Sequence, residues 1–191
     1  MADKEDNDIL TGLADSKTKA QVFSKLVRLY QERLYWHVRK MVLSHEDAND
    51  ILQNTFMKAW SGVANFRGDA LVSTWLYRIA TNETLTFLTN KRIRNMAGID
   101  DLESMLLNQL HADTYFSGTE VEIKLQEAIL TLPEKQRLVF NMKYFDDLTY
   151  EQMEKILQTS VGALKASYHH AVKKIEKYLS EDKLALNDQT G

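Results

Sequence analysis

The chain has 191 residues, 44% hydrophobic and 27% charged, with a formal net charge of −3; this excludes wholesale disorder and provides apolar material for one larger core or two small ones. The absence of cysteine rules out disulfides and thiolate metal sites, and a single proline with seven glycines favours long helices over strands. The acidic start MADKEDNDIL lacks the basic and apolar parts of a signal peptide, and no run reaches the roughly 18 apolar residues that cross a bilayer, so a cytoplasmic protein is expected.

Phe23, Leu26, Val27, Tyr30, Leu34, Val38 and Met41 recur at steps of three and four, the spacing of one helix face, and predict a long first helix. Ser44 is placed to cap a second helix, with Asp47 set favourably against the dipole of its first turn. Ala48, Ile51, Leu52, Thr55, Phe56 and Ala59 form the inner stripe of this helix, which is expected to end near Trp60. Asp47, Asp50, Gln53 and Asn54 share its polar side, which taken alone reads as a solvated face. Gly62 and Gly68 bracket a loop that holds Asn65, Phe66, Arg67 and Asp69, and a third helix follows over roughly Ser73 to Arg92. Leu76, Ile79, Ala80, Glu83 and Phe87 set the faces of that helix; of its aromatic residues Tyr77 is assigned to the core, while Trp75 fits either core or surface.

Periodicity fades after Arg94, so residues 96–119 read as a linker in which SMLLNQL can form a short helix or bury against a neighbour. Pattern resumes near Glu120 with Val121, Leu125, Ala128, Ile129 and Leu132, and Pro133 stands where a first-turn proline is tolerated. Leu138, Val139, Met142 and Phe145 give the next helix its buried face, and Asp146 and Asp147 stop it. Thr149 and Gln152 have capping-box spacing for a helix carrying Met153, Ile156 and Leu157. Ser160 caps a final long helix whose apolar positions are Val161, Leu164, Tyr168, Ala171, Ile175 and Tyr178. The expected fold class is all-α, with two small helical domains joined by an acidic linker.

Charge follows the same division. Lys58, Arg67, Arg78, Lys91, Arg92 and Arg94 outnumber Asp69 and Glu83 in one basic segment, and Lys165, Lys173, Lys174 and Lys177 face only Glu176 in another; the stretch between them is acidic. The helix, the turn at Leu157 to Thr159 and the helix from Ser160 have the form of a helix-turn-helix, whose second helix enters the major groove. Gly162 and Ala163 lie at its start, where backbone amides meet phosphate, and Lys165, Ser167, Tyr168, His169 and Lys173 are candidates for DNA contact. Tyr168 also belongs to the apolar repeat, and a merely packed helical hairpin is the plain alternative. His37, His45, His111, His169 and His170 show no metalloprotease spacing and no P-loop is present, so no catalytic centre, metal, cofactor or small-molecule substrate is expected.

Three stretches carry a resemblance. HEDANDILQNTFMKAW and NFRGDALVSTWLYRIATNETL are similar to region two of the extracytoplasmic-function (ECF) group of RNA polymerase sigma factors, and LPEKQRLVF with FDDLTYEQMEKIL and SVGALKASYHHA resembles region four. The resemblance implies a transcription initiation factor with region two over residues 17–95 and region four over residues 120–180. By it, Asp47, Asp50, Gln53 and Asn54 meet the clamp helices of core RNA polymerase; Asn49 stands where an acidic residue is often found. Asn65, Phe66, Arg67, Gly68 and Asp69 build a pocket for a base of the minus-ten element, with Trp75, Arg78 and Asn82 beside the melted strand. Unstacking a base costs a few kcal/mol, and stacking on an aromatic ring returns about 1–3 kcal/mol. Lys91, Arg92 and Arg94 are implied as phosphate contacts. Arg137 and Thr149 are implied as backbone contacts at the minus-thirty-five element, which the last helix reads; many members carry arginine where this chain has Ser167, and a basic residue where it has His170. Promoter DNA, core polymerase and a membrane-linked anti-sigma factor are the implied partners. The competing reading is a helix-turn-helix regulator acting without polymerase, against which the acidic net charge and single helix-turn-helix predict weak unaided DNA binding.

Overall fold

The computed structural model describes residues 9, 12–13, 17–63, 66, 70–94, 104, 106–108, 110 and 119–188, with side chains in the last stretch as far as 181. All regular structure among the described residues is helical, as the sequence predicts, and none of these helices is long and apolar enough to cross a membrane. The chain divides into two compact units, one taking residues up to Lys91 with Lys155–Gln158, the other Arg92–Glu154 with the chain from Thr159 onward.

In the first unit α1 spans Lys19–Val42 and buries Phe23, Leu26, Tyr30, Leu34, Val38 and Met41, the stripe read from spacing, while Val27 is half-buried at its edge. The helix stops at Leu43, which adopts φ 56° and returns its N–H to Arg39 O at 2.9 Å. A left-handed residue with a Cβ is disfavoured by roughly 1–2 kcal/mol, which the near-complete burial of Leu43 offsets. This corner delivers the chain directly into α2, His45–Gly62, where Ser44 Oγ accepts from Asp47 N at 3.2 Å. The helix runs two residues past Trp60, because the Trp60 ring packs edge-on to Phe23 at 5.0 Å and holds the last turn on α1.

The third helix, α3, covers Val72–Arg94 and buries three threonines, Thr74, Thr81 and Thr84, beside Leu76, Tyr77, Ala80 and Leu88. Thr84 Oγ1 donates to Ala80 O at 2.8 Å, and Thr81 Oγ1 lies 3.0 Å from Nε2 of the buried His37. A threonine whose hydroxyl is satisfied in this way buries as a small apolar side chain. Within the stretch read as a linker, Ser104, Leu106, Leu107, Asn108 and Leu110 are helical, and Leu106 and Leu110 are buried.

The second unit contains α4 at Glu120–Leu130, α5 at Glu134–Tyr144, α6 at Tyr150–Leu157 up to Glu154, and α7 at Val161–Asp188. Its core brings Ala128, Ile129 and Leu132 together with Phe140, Ala171 and Ile175. Pro133 is the N-cap of α5, one position before the first turn, and Asp147, with φ 52°, turns the chain after it. Thr149 and Gln152 form the reciprocal capping box expected of them, with Thr149 N donating to Gln152 Oε1 at 2.8 Å and Gln152 N to Thr149 Oγ1 at 3.2 Å.

A second capping box starts α4: Thr119 N donates to Glu122 Oε2 at 2.7 Å and Glu122 N to Thr119 Oγ1 at 3.4 Å. The Thr119 backbone N–H, and then its hydroxyl, hold the Glu122 carboxyl below the usual glutamate value. A depressed carboxyl favours the folded turn above the unfolded glutamate's pKa, and the advantage disappears as pH falls through the lowered folded value. Thr119→Val is expected to move the Glu122 titration, followed by carboxyl-carbon NMR, upward toward the ordinary range. An unchanged midpoint would show that the hydroxyl has no part in it.

Candidate functional site

The outer side of α2 is the first candidate surface. Asp50, Gln53 and Asn54 are exposed on it, whereas Asp47 is half-buried. Lys91 Nζ, near the end of α3, donates to Asp47 Oδ2 at 2.8 Å, so the expected protein contact and an expected phosphate contact neutralise each other within the unit. Around the same helix Lys58 pairs with Glu83.

His45 and Asn49, both absent from the candidate set, also sit on this surface. Tyr35 Oη lies 2.8 Å from His45 Nδ1, and Asn49 Nδ2 lies 3.0 Å from His45 Nε2. The four-residue step from His45 to Asn49 is the signal that would have found the pair, since such residues are neighbours on a helix surface. Further along, Phe23, Gln53, Phe56, Met57, Trp60 and Ser61 line an open apolar groove of about 460 Å³. Lys19 Nζ stands 4.4 Å over the Trp60 ring.

The loop before α3 is the second candidate surface. Asn65, Arg67, Gly68 and Asp69 lie outside the described residues. Phe66 is described: its N–H donates to Val63 O at 3.2 Å, and its ring stacks on Trp75 at 4.7 Å with the planes 25° apart. Trp75 is half-buried and Tyr77 is buried, as assigned. Arg78 and Asn82 are exposed, and with Trp75 they follow at i, i+3 and i+7, which sets all three on one stripe of α3. An aromatic ring beside a cation and an amide suits an unpaired nucleotide, offering a stacking surface, a charge for phosphate and donors for a base edge.

In the second unit Thr149, Gly162, Ala163, Lys165, His169 and Lys173 are exposed, and Ser167 is half-buried. Lys165, His169 and Lys173, at four-residue steps, share one ridge of α7. Lys165 Nζ lies 5.6 Å from the centre of the Tyr150 ring, and Lys143 Nζ lies 5.7 Å from it, so one aromatic ring carries two cations. At the start of α7, Ala163 N donates to Ser160 Oγ at 3.4 Å and Val161 N to Glu154 Oε1 at 3.3 Å, which places two of the first amides in internal bonds.

Two expectations are corrected here. Arg137, expected at the DNA backbone, is only 4% exposed and its Nη1 donates to Leu130 O at 3.5 Å. The middle of α5 is buried on successive residues from Arg137 to Met142, so the guanidinium stays inside the unit. Tyr168 stacks on Phe140 at 5.7 Å and packs against the core cluster; burial pushes its phenol above the ordinary tyrosine value. Its ring therefore anchors α7 in the core of the unit.

Two family models match the chain: Sigma-70 region 2 over residues 26–93 and Sigma-70 region 4 over residues 122–175. The ECF RNA polymerase sigma factor SigW of Bacillus subtilis is 30% identical over 175 residues, which cover 86% of this chain and 92% of SigW. In fold the chain is similar to CnrH, solved in complex with the cytosolic domain of CnrY, with a TM-score of 0.69 at 19% identity over 93% of this chain and 99% of that one. It is also similar to the sigma factor RpoE of Bartonella quintana, solved in complex with the anti-sigma factor NepR, with a TM-score of 0.64 at 17% identity over 83% and 96% of the two chains.

Proposed function

Because the chain belongs to the ECF group of RNA polymerase sigma factors, transcription initiation factors that direct the polymerase to promoters, we propose that its two helical parts divide that task between them. Residues 17–95 bind core polymerase and capture the minus-ten strand, residues 120–180 read the minus-thirty-five element, and residues 96–119 connect them. The observation that carries this reading is the α2 face, where Asp50, Gln53 and Asn54 are exposed on a helix whose other side is locked into the core by Ala48, Ile51, Thr55 and Ala59. We assign that face to the clamp helices of the polymerase. The Phe66–Trp75 stack with Arg78 and Asn82 takes the melted strand, and the Lys165, His169 and Lys173 ridge, with Thr149, Gly162, Ala163 and Ser167, takes the upstream duplex.

On this reading the chain supplies recognition, the polymerase supplies the chemistry, and both act in the cytoplasm. The fold neighbour solved with an anti-sigma factor supports a partner of that class here too; on our reading that partner is membrane-linked and covers the polymerase-binding or DNA-reading surfaces. The apolar groove beside Gln53 offers such a partner area that a purely polar face lacks.

In reconstituted transcription with bacterial core polymerase the chain is expected to direct initiation. Asp50→Ala combined with Gln53→Ala is expected to raise the concentration needed by roughly tenfold, the worth of one or two ordinary hydrogen bonds. A chain that neither binds core polymerase nor directs initiation overturns the proposal. Tight, salt-sensitive binding to a palindromic duplex without polymerase would support the regulator acting alone.

A further inference from the structure

We propose that Asn49 is a further polymerase contact and that His45, held by Tyr35, is the positioning residue that decides which end of the Asn49 carboxamide faces the partner; this rests on the reading of the α2 face given above. A carboxamide has two ends of almost equal size and opposite polarity, so an unrestrained surface asparagine offers a partner a donor or an acceptor with little preference. Asn49 is exposed next to Asp50 and one turn before Gln53. Its Nδ2 lies 3.0 Å from His45 Nε2. An amide nitrogen has hydrogens to give and no lone pair to receive with, so Nε2 is the bare nitrogen of the imidazole and Nδ1 carries the proton.

That proton has its acceptor in place, because Tyr35 Oη stands 2.8 Å from Nδ1, with the Tyr35 ring edge-on to the imidazole at 5.8 Å. With this placement the three groups form one chain of bonds from the Asn49 amide through His45 to Tyr35. Nδ2 of Asn49 is committed to His45, and Oδ1 is left as the outward acceptor. Asn49 then adds a second acceptor beside the Asp50 carboxylate without adding a charge. A surface so arranged suits the cationic and N–H donor groups of a protein partner and disfavours exposed carbonyls.

Competition binding to bacterial core RNA polymerase, with the full chain at fixed salt, tests this. His45→Ala and Asn49→Ala are each expected to weaken binding by roughly three- to tenfold, and the double variant to be no weaker than Asn49→Ala alone. Tyr35→Phe, which keeps the ring and removes the acceptor, is expected to give a smaller loss in the same direction. Asn49→Asp presents an acceptor at either end, so in that background His45→Ala is expected to change affinity by less than about 1.5-fold. Far-UV circular dichroism checks that each variant keeps its helices. Losses that multiply in the His45→Ala, Asn49→Ala double variant, or a His45→Ala chain that binds normally, overturn the proposal. Asp50→Ala separates the two failures: if it also binds normally, the α2 face itself has been misread, whereas if it binds poorly while His45 and Asn49 act independently, only the positioning role falls.

Discussion

Replacing Trp75 with alanine is expected to cut promoter opening by roughly 5- to 150-fold, the equivalent of about 1–3 kcal/mol for one base–aromatic stack. Opening requires that a base leave the duplex, and what holds it outside must return the few kcal/mol that unstacking costs. The Phe66–Trp75 pair offers the π surface, and Arg78 and Asn82 follow on the same stripe of α3. Trp75 is also a packing residue, half-buried, with its Cζ2 3.5 Å from where a Cβ on Gly62 would stand. Trp75→Leu keeps apolar volume and loses the π face, while Trp75→Phe keeps a ring. Permanganate footprinting of the melted strand should therefore rank Phe near the parent chain and Leu with Ala. A template melted in advance should restore much of the lost initiation, since the cost that the stack offsets has been removed. A Trp75→Leu chain that opens duplex promoters normally would reduce the residue to packing.

Sequence reasoning succeeded where the controlling interactions are local. Ser44, Ser160 and the Thr149–Gln152 pair act within one helical turn, and each makes the cap its spacing predicts. Tyr77 was assignable to the core from helical period alone. The failures involve partners distant in sequence or a backbone state that no motif announces. Asp47 and Lys91 are 44 positions apart, and neither spacing nor composition brings them to 2.8 Å. Thr74, Thr81 and Thr84 carry no mark of burial in the sequence, yet all three are buried on α3, where Thr81 and Thr84 make internal bonds. Arg137 was placed at the DNA backbone by resemblance, and only the packing of α5 shows it buried. The left-handed turn at Leu43 carries no glycine to mark it.

The Asp47–Lys91 pair changes how the α2 face works. With Asp47 neutralised from inside the unit, the charge available to a partner on this side is that of Asp50 and its exposed neighbours. A partly exposed ion pair contributes on the order of 1 kcal/mol or less to stability, so its larger consequence is geometric. It ties the first turn of α2 to the last turns of α3, joining the helix that exposes Asp50, Gln53 and Asn54 to the helix that carries Trp75, Arg78 and Asn82. The faces proposed for capture of the melted strand and for docking on the enzyme are thus built on helices braced against each other.

Phe140→Ala is expected to remove about 3–5 kcal/mol from the second unit, enough to abolish its structure. Phe140 is 4% exposed, stacks on Tyr144 at 5.2 Å and Tyr168 at 5.7 Å, and meets Phe145 edge-on at 6.3 Å. A helical unit of this size buries a modest core and has stability of the same order as that loss. Through Tyr168 the ring also seats α7, so recognition of the upstream duplex should fail even where some helix survives. Hydrogen exchange should show lost protection in α4, α5 and α7, with α1 to α3 as the internal reference, while Phe140→Leu should retain most of it. The Tyr168 phenol gives an independent readout: desolvation pushes it up in the parent chain, so its titration should fall toward the ordinary tyrosine value once Phe140 is removed. Protected α7 amides together with an unshifted Tyr168 in Phe140→Ala would mean that the unit is held by contacts other than this aromatic stack.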